Sequence, residues 1–521
     1  MTDENNIDMK RACDDLTLEM APETIRELGY RIVDMIADDL ADPTRRPVFP
    51  PAQTRDAMES VFGGPLPRDG TPPEALLSII QDHLLPAAGN PNHPRMMAYV
   101  LTACTPFAGL LEALVGTLKL RPTTWKNQPA SCQIETTVAR WLGEMVGFSS
   151  DAAGYLTTGG SWANLVALAI ARTRQAGWDV RAEGVVNRPP LVAYVSDQAH
   201  SCLDRSAELL GLGQAHLQKI PVDDGFRIRL DVLEDTIKAD WAAGFQPFCL
   251  VGNAGTVNTG AVDPLADLAD LADRYSLWFH IDGAYGAFAT LAPEARPLFA
   301  GLERADSLTL DPHKWLNTPF ESGCILTKNW DDLGNTFSLI PPYLHGAMGD
   351  EHDQYEYGFE LSRTDRALKV WLALQQHGVD RYTELISGHL ALTRHLAGLI
   401  NEADDFELVT PPVLSICCFR YAPPDLDANN TTVAAYLNEL NQAIEMALAN
   451  DGRALLSGTE LNGTRVLRAC IASHPVTQAS VDETFELLHH FGCELDAQMR
   501  DNLTFGATGG NLTELIRRSP G

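Results

Sequence analysis

Residues 308–324 read Leu-Thr-Leu-Asp-Pro-His-Lys-Trp-Leu-Asn-Thr-Pro-Phe-Glu-Ser-Gly-Cys. The alternating apolar residues stop at Asp311 and Pro312, which predicts a strand followed by a turn that carries Lys314, with a second short strand at 324–326. Burial beside apolar and aromatic side chains would lower the pKa of this amine, which could then act as a nucleophile or Schiff-base amine. The alternative is an ordinary lysine in a surface loop, and the rest of the chain has to distinguish the two.

The sequence around this stretch alternates between strand and helix patterns from about residue 150 to 330. Short apolar runs bounded by turn residues lie at 191–196, 248–253, 277–282, 307–310 and 324–327. Helical patterns lie between them, at 163–172, 203–210 and 263–275. This alternation predicts an α/β domain with a mainly parallel sheet and with its functional groups at the carboxyl ends of the strands.

Helical patterns dominate the chain before this region, and a mixed pattern follows it. An apolar stripe at helical spacing begins after Pro22, and further helices are expected at 73–85, 106–118 and 132–146. After a long helix near 366–376, strands are expected at 413–421 and 465–473. We therefore predict a helical segment at 1–105, a large α/β domain at 106–370, a smaller α+β domain at 371–500 and a tail of unassigned role at 501–521.

Composition restricts the classes of partner. The 521 residues are 45% apolar and carry a net charge of −30, which disfavours binding to nucleic acid or to an anionic membrane. No apolar run is long enough to span a bilayer, and residues 1–10 lack the apolar core of a secretory signal. The ten cysteines show no Cys-x-x-Cys pair or metal-ligand spacing. We expect a reduced, cytoplasmic protein without a metal site.

Four further motifs stand at predicted strand ends. A glycine-rich turn at 157–164 contains Gly160 and Ser161 and opens a helix, so its N–H groups could hold a phosphate, although such turns are often only structural. His200 could stack on a planar ring or transfer protons, or it could simply cap a helix. Thr256 lies in a segment of small and hydroxyl residues that would let a ligand approach closely.

The fourth motif is Asp282, a carboxylate at the end of a very apolar strand. A buried aspartate needs a cationic partner or several hydrogen bonds, and a protonated pyridine nitrogen would be such a partner. One ligand would use all four groups. It has a phosphate for the glycine-rich turn, a ring on which the histidine can stack, a ring nitrogen for the carboxylate and an aldehyde for the lysine. That ligand is pyridoxal 5′-phosphate.

The motifs resemble those of the group II pyridoxal-phosphate decarboxylases. The resemblance rests on Gly-Gly-Ser-x-Ala-Asn at 159–164, Ser-Asp-Gln-Ala-His at 196–200, His-Ile-Asp-x-Ala-Tyr at 280–285 and Asp-Pro-His-Lys-Trp at 311–315, and it extends from about residue 22 to about 490. This family includes the aromatic L-amino-acid, histidine and glutamate decarboxylases. It implies the aspartate-aminotransferase fold (fold type I) and a homodimer whose active site lies at the subunit interface, with the amino-terminal helices embracing the partner.

The resemblance also implies a role for each site residue. Lys314 would bind the cofactor aldehyde covalently, Asp282 would pair with the ring nitrogen, and His200 and Ala284 would contact the two ring faces. The phosphate would be held by Gly160, Ser161 and His313, with Thr256 near the polar edge of the ring.

A mobile-loop tyrosine of the family matches Tyr343, which would protonate the substrate α-carbon after carbon dioxide leaves. Phenylalanine there characterises the aldehyde-forming relatives, so Tyr343 favours simple decarboxylation.

The substrate is less well indicated by the sequence. An aromatic amino acid is preferred because such substrates are frequent in the family. The alternatives are an acidic amino acid, whose carboxylate Arg121 or Lys126 could bind, an aldehyde synthase, and a non-catalytic homologue that acts as a binding partner. Arg121 and Lys126 could equally face solvent or form dimer salt bridges. Trp162 replaces the glutamate usual in relatives, with no assigned role.

Overall fold

The computed structural model describes residues 18–339 and 353–504. The chain forms two compact units, within residues 1–90 and 91–521. Tyr343 and most of the 501–521 tail lie outside the described residues. The domain boundaries predicted near residues 105, 370 and 500 stay a proposal.

The first unit is helical. Its helices are α1 (Pro22–Ala41), α2 (Arg55–Phe62) and α3 (Pro73–Ile79), the last continuing into a π-helical turn at Ile80–Leu84. A proline in the first turn starts α1, as predicted. None of the residues of α1 is buried, and its apolar side chains Ile25, Ile32 and Ile36 are exposed. The amphipathic helix is therefore present, with its apolar stripe accessible.

A seven-stranded sheet and its helices make up most of the second unit. Its strands are β1 (Ala153–Thr157), β2 (Leu191–Ser196), β3 (Leu217–Ile220), β4 (Gln246–Asn253), β5 (Trp278–Asp282), β6 (Ser307–Leu310) and β7 (Gly323–Thr327). The helices before, between and after them are α4 (Pro106–Thr117), α5 (Pro129–Met145), α6 (Gly160–Gln175), α7 (Val180–Glu183), α8 (Cys202–Leu209), α9 (Leu230–Ala242), α10 (Leu265–Tyr275) and α11 (Trp330–Phe337).

The strand order is β1-β7-β6-β5-β4-β2-β3, and every neighbouring pair is parallel except the two that involve β7. Since β7 is antiparallel to both β1 and β6, these two strands run in the same direction. The carboxyl ends of β1, β2, β4, β5 and β6 therefore meet at one edge of the sheet, where α/β proteins place their ligands. The predicted mainly parallel α/β fold is confirmed.

The chain continues into a smaller antiparallel sheet. Helix α12 (Arg366–Glu402) is interrupted at Gly378, where φ is 74°. The elements that follow are β8 (Phe406–Thr410), β9 (Ile416–Tyr421), α13 (Thr431–Asp451), β10 (Ser457–Leu461), β11 (Thr464–Cys470) and α14 (Gln478–Thr504), and the strands pair in the order β10-β11-β9-β8. This α+β part agrees with the predicted mixed pattern.

The prediction missed strands whose sequences lack a strong apolar run. Strand β1 contains alanine and glycine, residues of low strand propensity, yet all five of its residues are buried. Its pairing with β7 supplies the stability that the local sequence does not. None of the helices in the described ranges is long and apolar enough to cross a membrane.

Candidate active site

A cavity of about 700 Å³ lies at the edge where the parallel strands end. It is bordered by residues that follow β1, β2, β4, β5 and β6, together with residues from the smaller sheet. All the predicted site residues within the described ranges contribute to its wall, namely Gly160, Ser161, His200, Thr256, Asp282, Ala284, His313 and Lys314. Segments that are 150 residues apart in the sequence therefore meet at one site.

Lys314 lies in the turn after β6, as predicted. Its Nζ is 3.0 Å from Asp311 Oδ2, and the Thr102 hydroxyl donates to the Lys314 carbonyl at 2.8 Å. Burial lowers the pKa of Lys314, but the carboxylates of Asp311 and Asp282 outweigh that effect, so the pKa is raised above its ordinary value. The prediction of a lowered pKa is wrong for this chain, because it left out the ion pair with Asp311.

Asp282 ends β5 and is nearly buried. Its Oδ2 accepts a hydrogen bond from Asn164 Nδ2 at 3.0 Å, and its Oδ1 accepts one from the Ala284 N–H at 3.1 Å. Both hydrogen-bonding partners are neutral, so these bonds orient the carboxylate without neutralising its charge. A cationic group entering the cavity would find this carboxylate already in position.

The glycine-rich turn joins β1 to α6, and Gly160 and Ser161 form the first turn of that helix. The N-terminus of a helix attracts anions through its N–H groups and its dipole. A Cβ at Gly160 would lie 2.8 Å from Asp311 Oδ2 and 2.9 Å from Ala284 Cβ, so only glycine lets the turn approach the lysine segment this closely. Close by, the His313 ring Nδ1 is 2.7 Å from the Ser322 carbonyl oxygen.

Comparison with known proteins gives this arrangement its chemical context. Residues 58–422 match the pyridoxal-dependent decarboxylase conserved domain. The chain belongs to the pyridoxal-dependent decarboxylase family. It is 35% identical over 456 residues to an aromatic-L-amino-acid decarboxylase of Bacillus atrophaeus, covering 87% of this chain and 92% of that protein. It is thus a pyridoxal-phosphate-dependent amino-acid decarboxylase, and the predicted family and cofactor are confirmed.

Two further relatives of the decarboxylase are informative. A phenylacetaldehyde synthase of a Rosa hybrid cultivar is 28% identical, covering 92% of this chain and 95% of that protein. The solved structure of Oryza sativa TDC with PLP and tryptamine superimposes with a TM-score of 0.86 at 25% identity, covering 92% of this chain and 99% of that one. The chain is therefore similar in sequence to a protein named as an aldehyde synthase and similar in fold to one solved with tryptamine.

The described residues of the decarboxylase fit its cofactor. Asp311 Oδ1 is buried and has no hydrogen-bond partner within the described ranges, so the lysine segment keeps an unused acceptor near the cavity. His200 borders the cavity while its Nδ1 accepts the Cys202 N–H at 3.2 Å, so it both caps α8 and faces the site. Burial lowers the pKa of His200, which favours the neutral ring suited to stacking.

Arg468 of β11 is a cavity residue of the decarboxylase that the sequence analysis missed. It is almost fully buried, and its Nη1 donates to the Tyr99 carbonyl at 2.9 Å while its Nε donates to the Asn258 carbonyl at 3.1 Å. Its Nη2 is buried and has no partner among the described residues. A lone arginine within the apolar run 466–471 was the available signal.

The structure places Arg121 and Lys126 away from the cavity and Trp162 beside it. Arg121 and Lys126 are exposed, and neither borders the cavity of the decarboxylase chain. Trp162 does border it, and its ring contacts Phe359 edge-on at 6.0 Å between centroids. The acidic-substrate alternative therefore gains no support from the two cations on which it was based.

Proposed function

We propose that this decarboxylase converts an aromatic L-amino acid to its amine and carbon dioxide. The observation that carries the proposal is the cavity itself, in which Lys314 and Asp282 meet an aromatic wall formed by Tyr99, Trp162 and Phe320. Flat apolar surfaces of this kind favour aromatic side chains. The similarity to the aromatic-L-amino-acid decarboxylase of Bacillus atrophaeus supports the same substrate class.

We assign the residues the following roles. The bound cofactor supplies an electron sink for the pair of electrons left when carbon dioxide departs. Lys314 would hold the cofactor covalently, and Asp282 would hold a proton on its ring nitrogen. His200 and Ala284 fix the ring between them, Thr256 contacts its polar edge, and Gly160, Ser161 and His313 hold the phosphate.

The second candidate is an acidic amino acid, and the observation that bears on it is Arg468. Its Nη2, which has no partner in the described part of the chain, could bind a substrate carboxylate in a charge-assisted hydrogen bond. Every amino acid has an α-carboxylate, however, so Arg468 is compatible with both classes. The aromatic wall of the cavity favours an aromatic substrate over an acidic one.

A substrate panel tests this proposal. We expect the holoenzyme to release carbon dioxide and amine from tryptophan, tyrosine or phenylalanine with a kcat/KM at least about tenfold above that for glutamate or aspartate. The measurement is amine formation by chromatography at saturating cofactor. Turnover of only glutamate or aspartate would overturn the aromatic assignment and leave the acidic one.

Replacing Tyr343 tests the choice between amine and aldehyde. Without the phenol to protonate the α-carbon, Tyr343→Phe should retain the cofactor, lose most amine formation, and release aldehyde with ammonia and hydrogen peroxide as oxygen is consumed. Product analysis with a peroxide assay measures this partition. An unchanged amine yield would count against Tyr343 as the proton donor.

We also propose a homodimer. Helix α4 exposes an apolar row at helical spacing, formed by Phe107, Leu110 and Leu114 and continued by Leu118 just after the helix, and α1 exposes its own stripe. Exposed apolar surfaces of this extent favour association with a second chain. Sedimentation of the holoenzyme should give twice the mass of one chain, and a monomer at micromolar concentration would contradict the proposal.

A cytoplasmic location is also proposed. Each of the described cysteines is free, and all but Cys104 and Cys493 are buried. Free thiols of this kind are typical of proteins in a reducing compartment.

A further inference from the structure

A line of buried side chains leads from the middle of the sheet to the Asp282 carboxylate. Trp278 Nε1 donates to Ser307 Oγ at 2.8 Å, and Ser307 Oγ lies 2.9 Å from His280 Nδ1. His280 Nε2 lies 2.8 Å from Asn164 Oδ1. Asn164 Nδ2 then reaches Asp282 Oδ2 at 3.0 Å. Each side chain before the carboxylate is at most 5% exposed, so these polar groups depend on one another and not on bulk solvent for their hydrogen bonds.

The groups at the two ends of this line determine which partner donates in each of its hydrogen bonds. An indole N–H can only donate a hydrogen bond, and a carboxylate can only accept one. Because Ser307 Oγ accepts from Trp278, its own hydrogen is available for His280 Nδ1. The hydrogen of neutral His280 then lies on Nε2 and is donated to the Asn164 carbonyl oxygen. This leaves the Asn164 amide N–H facing Asp282.

The opposite arrangement is disfavoured at two points. If His280 Nδ1 carried the hydrogen, it could donate to the Ser307 carbonyl at 3.2 Å, but Nε2 would then present a lone pair to Asn164. Turning the amide to satisfy that lone pair would point its carbonyl oxygen at the Asp282 carboxylate, which is repulsive. The Thr309 hydroxyl also donates to Asn164 Oδ1, at 3.1 Å, and opposes the turn. Burial lowers the pKa of His280 to about 4, so a single ring hydrogen is present at neutral pH.

We propose that Asn164, His280 and Ser307 are positioning residues that keep the Asp282 carboxylate directed at the ring nitrogen of the cofactor. This inference rests on the pairing of Asp282 with that nitrogen under the proposed function. The N–H groups of Asn164 and Ala284 each hold one oxygen of the carboxylate, so its orientation toward the ring nitrogen would be fixed from both sides. Without the Asn164 donor, the carboxylate would no longer be fixed toward the ring nitrogen, and the ring would become a weaker electron sink.

The test is the ¹⁵N chemical shift of the ring nitrogen in holoenzyme loaded with ¹⁵N-labelled pyridoxal phosphate. In Ser307→Ala and Asn164→Leu, we expect the signal to move from the protonated toward the neutral pyridine position. We also expect kcat to fall roughly 10- to 100-fold with little change in KM. Thr327→Val is the matched control, because Thr327 pairs with Ser307 across β6 and β7 but donates to Asn329. It should keep both the wild-type signal and the wild-type rate.

Asp282→Ala separates the inference from the function on which it rests. If Asp282→Ala moves the signal while Ser307→Ala and Asn164→Leu leave it unchanged, the positioning role is overturned and the Asp282 assignment stands. If Asp282→Ala leaves the signal unchanged, the pairing with the ring nitrogen fails, and the positioning role fails with it. Ser307→Ala removes a single oxygen, so it decides the matter even if Asn164→Leu does not fold.

Discussion

Lys314→Ala should abolish turnover and the covalent attachment of the cofactor together. Lys314 borders the cavity. Its turn is held by the hydrogen bond from Thr102, and its Nζ is held by the ion pair with Asp311. Among the described residues, no other lysine borders the cavity to receive the cofactor aldehyde. We expect a decrease in kcat of roughly 1,000-fold or more. Intact mass after borohydride reduction should show the cofactor on the wild-type chain and not on the variant.

Lys314→Arg is the matched control for stability. In the cofactor-free protein, removing the ammonium leaves the buried Asp311 carboxylate without its ion pair, which costs about 3–5 kcal/mol of folding stability when a buried charge loses its partner. Arginine can keep that pair but cannot form the covalent link. Lys314→Arg should therefore melt near the wild-type temperature and remain inactive. Covalent cofactor in either variant would overturn the assignment, and a wild-type protein that binds no cofactor would revive the non-catalytic alternative.

Asp282→Ala should lower kcat roughly 100- to 1,000-fold while the cofactor remains attached to Lys314. The carboxylate is held by Asn164 and Ala284 at the end of β5, where it can keep a proton on the ring nitrogen. Without it, the ring loses its positive charge and stabilises the developing carbanion poorly. Steady-state kinetics at saturating cofactor measures the change in kcat.

Chemical rescue identifies the cause of that loss. Reconstitution of Asp282→Ala with the N-methylated cofactor analogue supplies a permanent ring charge, and the missing side chain leaves room for the methyl group. Activity should then rise well above that of the variant with the natural cofactor, whereas the same analogue should impair the wild type. Equal activity with both cofactors would show that Asp282 acts through some property other than ring charge.

Much of the fold could be predicted because its central strands are locally distinctive. The predicted bounds of β2 and β6 agree with the structure, and those of β4, β5 and β7 differ by at most two residues. Strands buried on both faces need continuous apolar runs, so their sequence alone marks them. Strands β3, β8 and β10 were missed, because exposed or half-buried residues interrupt their apolar pattern.

The candidate site was predicted less completely than the fold. The residues at strand ends were found because they follow apolar runs and share motifs with a known family. Arg468 was not found, since it reaches the cavity from a different sheet about 150 residues after Lys314. The roles of all these residues stay predictions until the variants are measured.

The sequence by itself determined the family, the cofactor and the alternation of strands and helices, because each depends on short patterns along the chain. Only the tertiary structure decided how the side chains of the site affect one another. Asp311 raises the pKa of Lys314 instead of leaving it to burial alone, and Asn164 joins Asp282 to His280. Charge interactions and hydrogen bonds depend on distances of a few ångströms between groups that the fold brings together. The turn at Lys314 could be read from its residues, but the electrostatic environment of its amine required the folded chain.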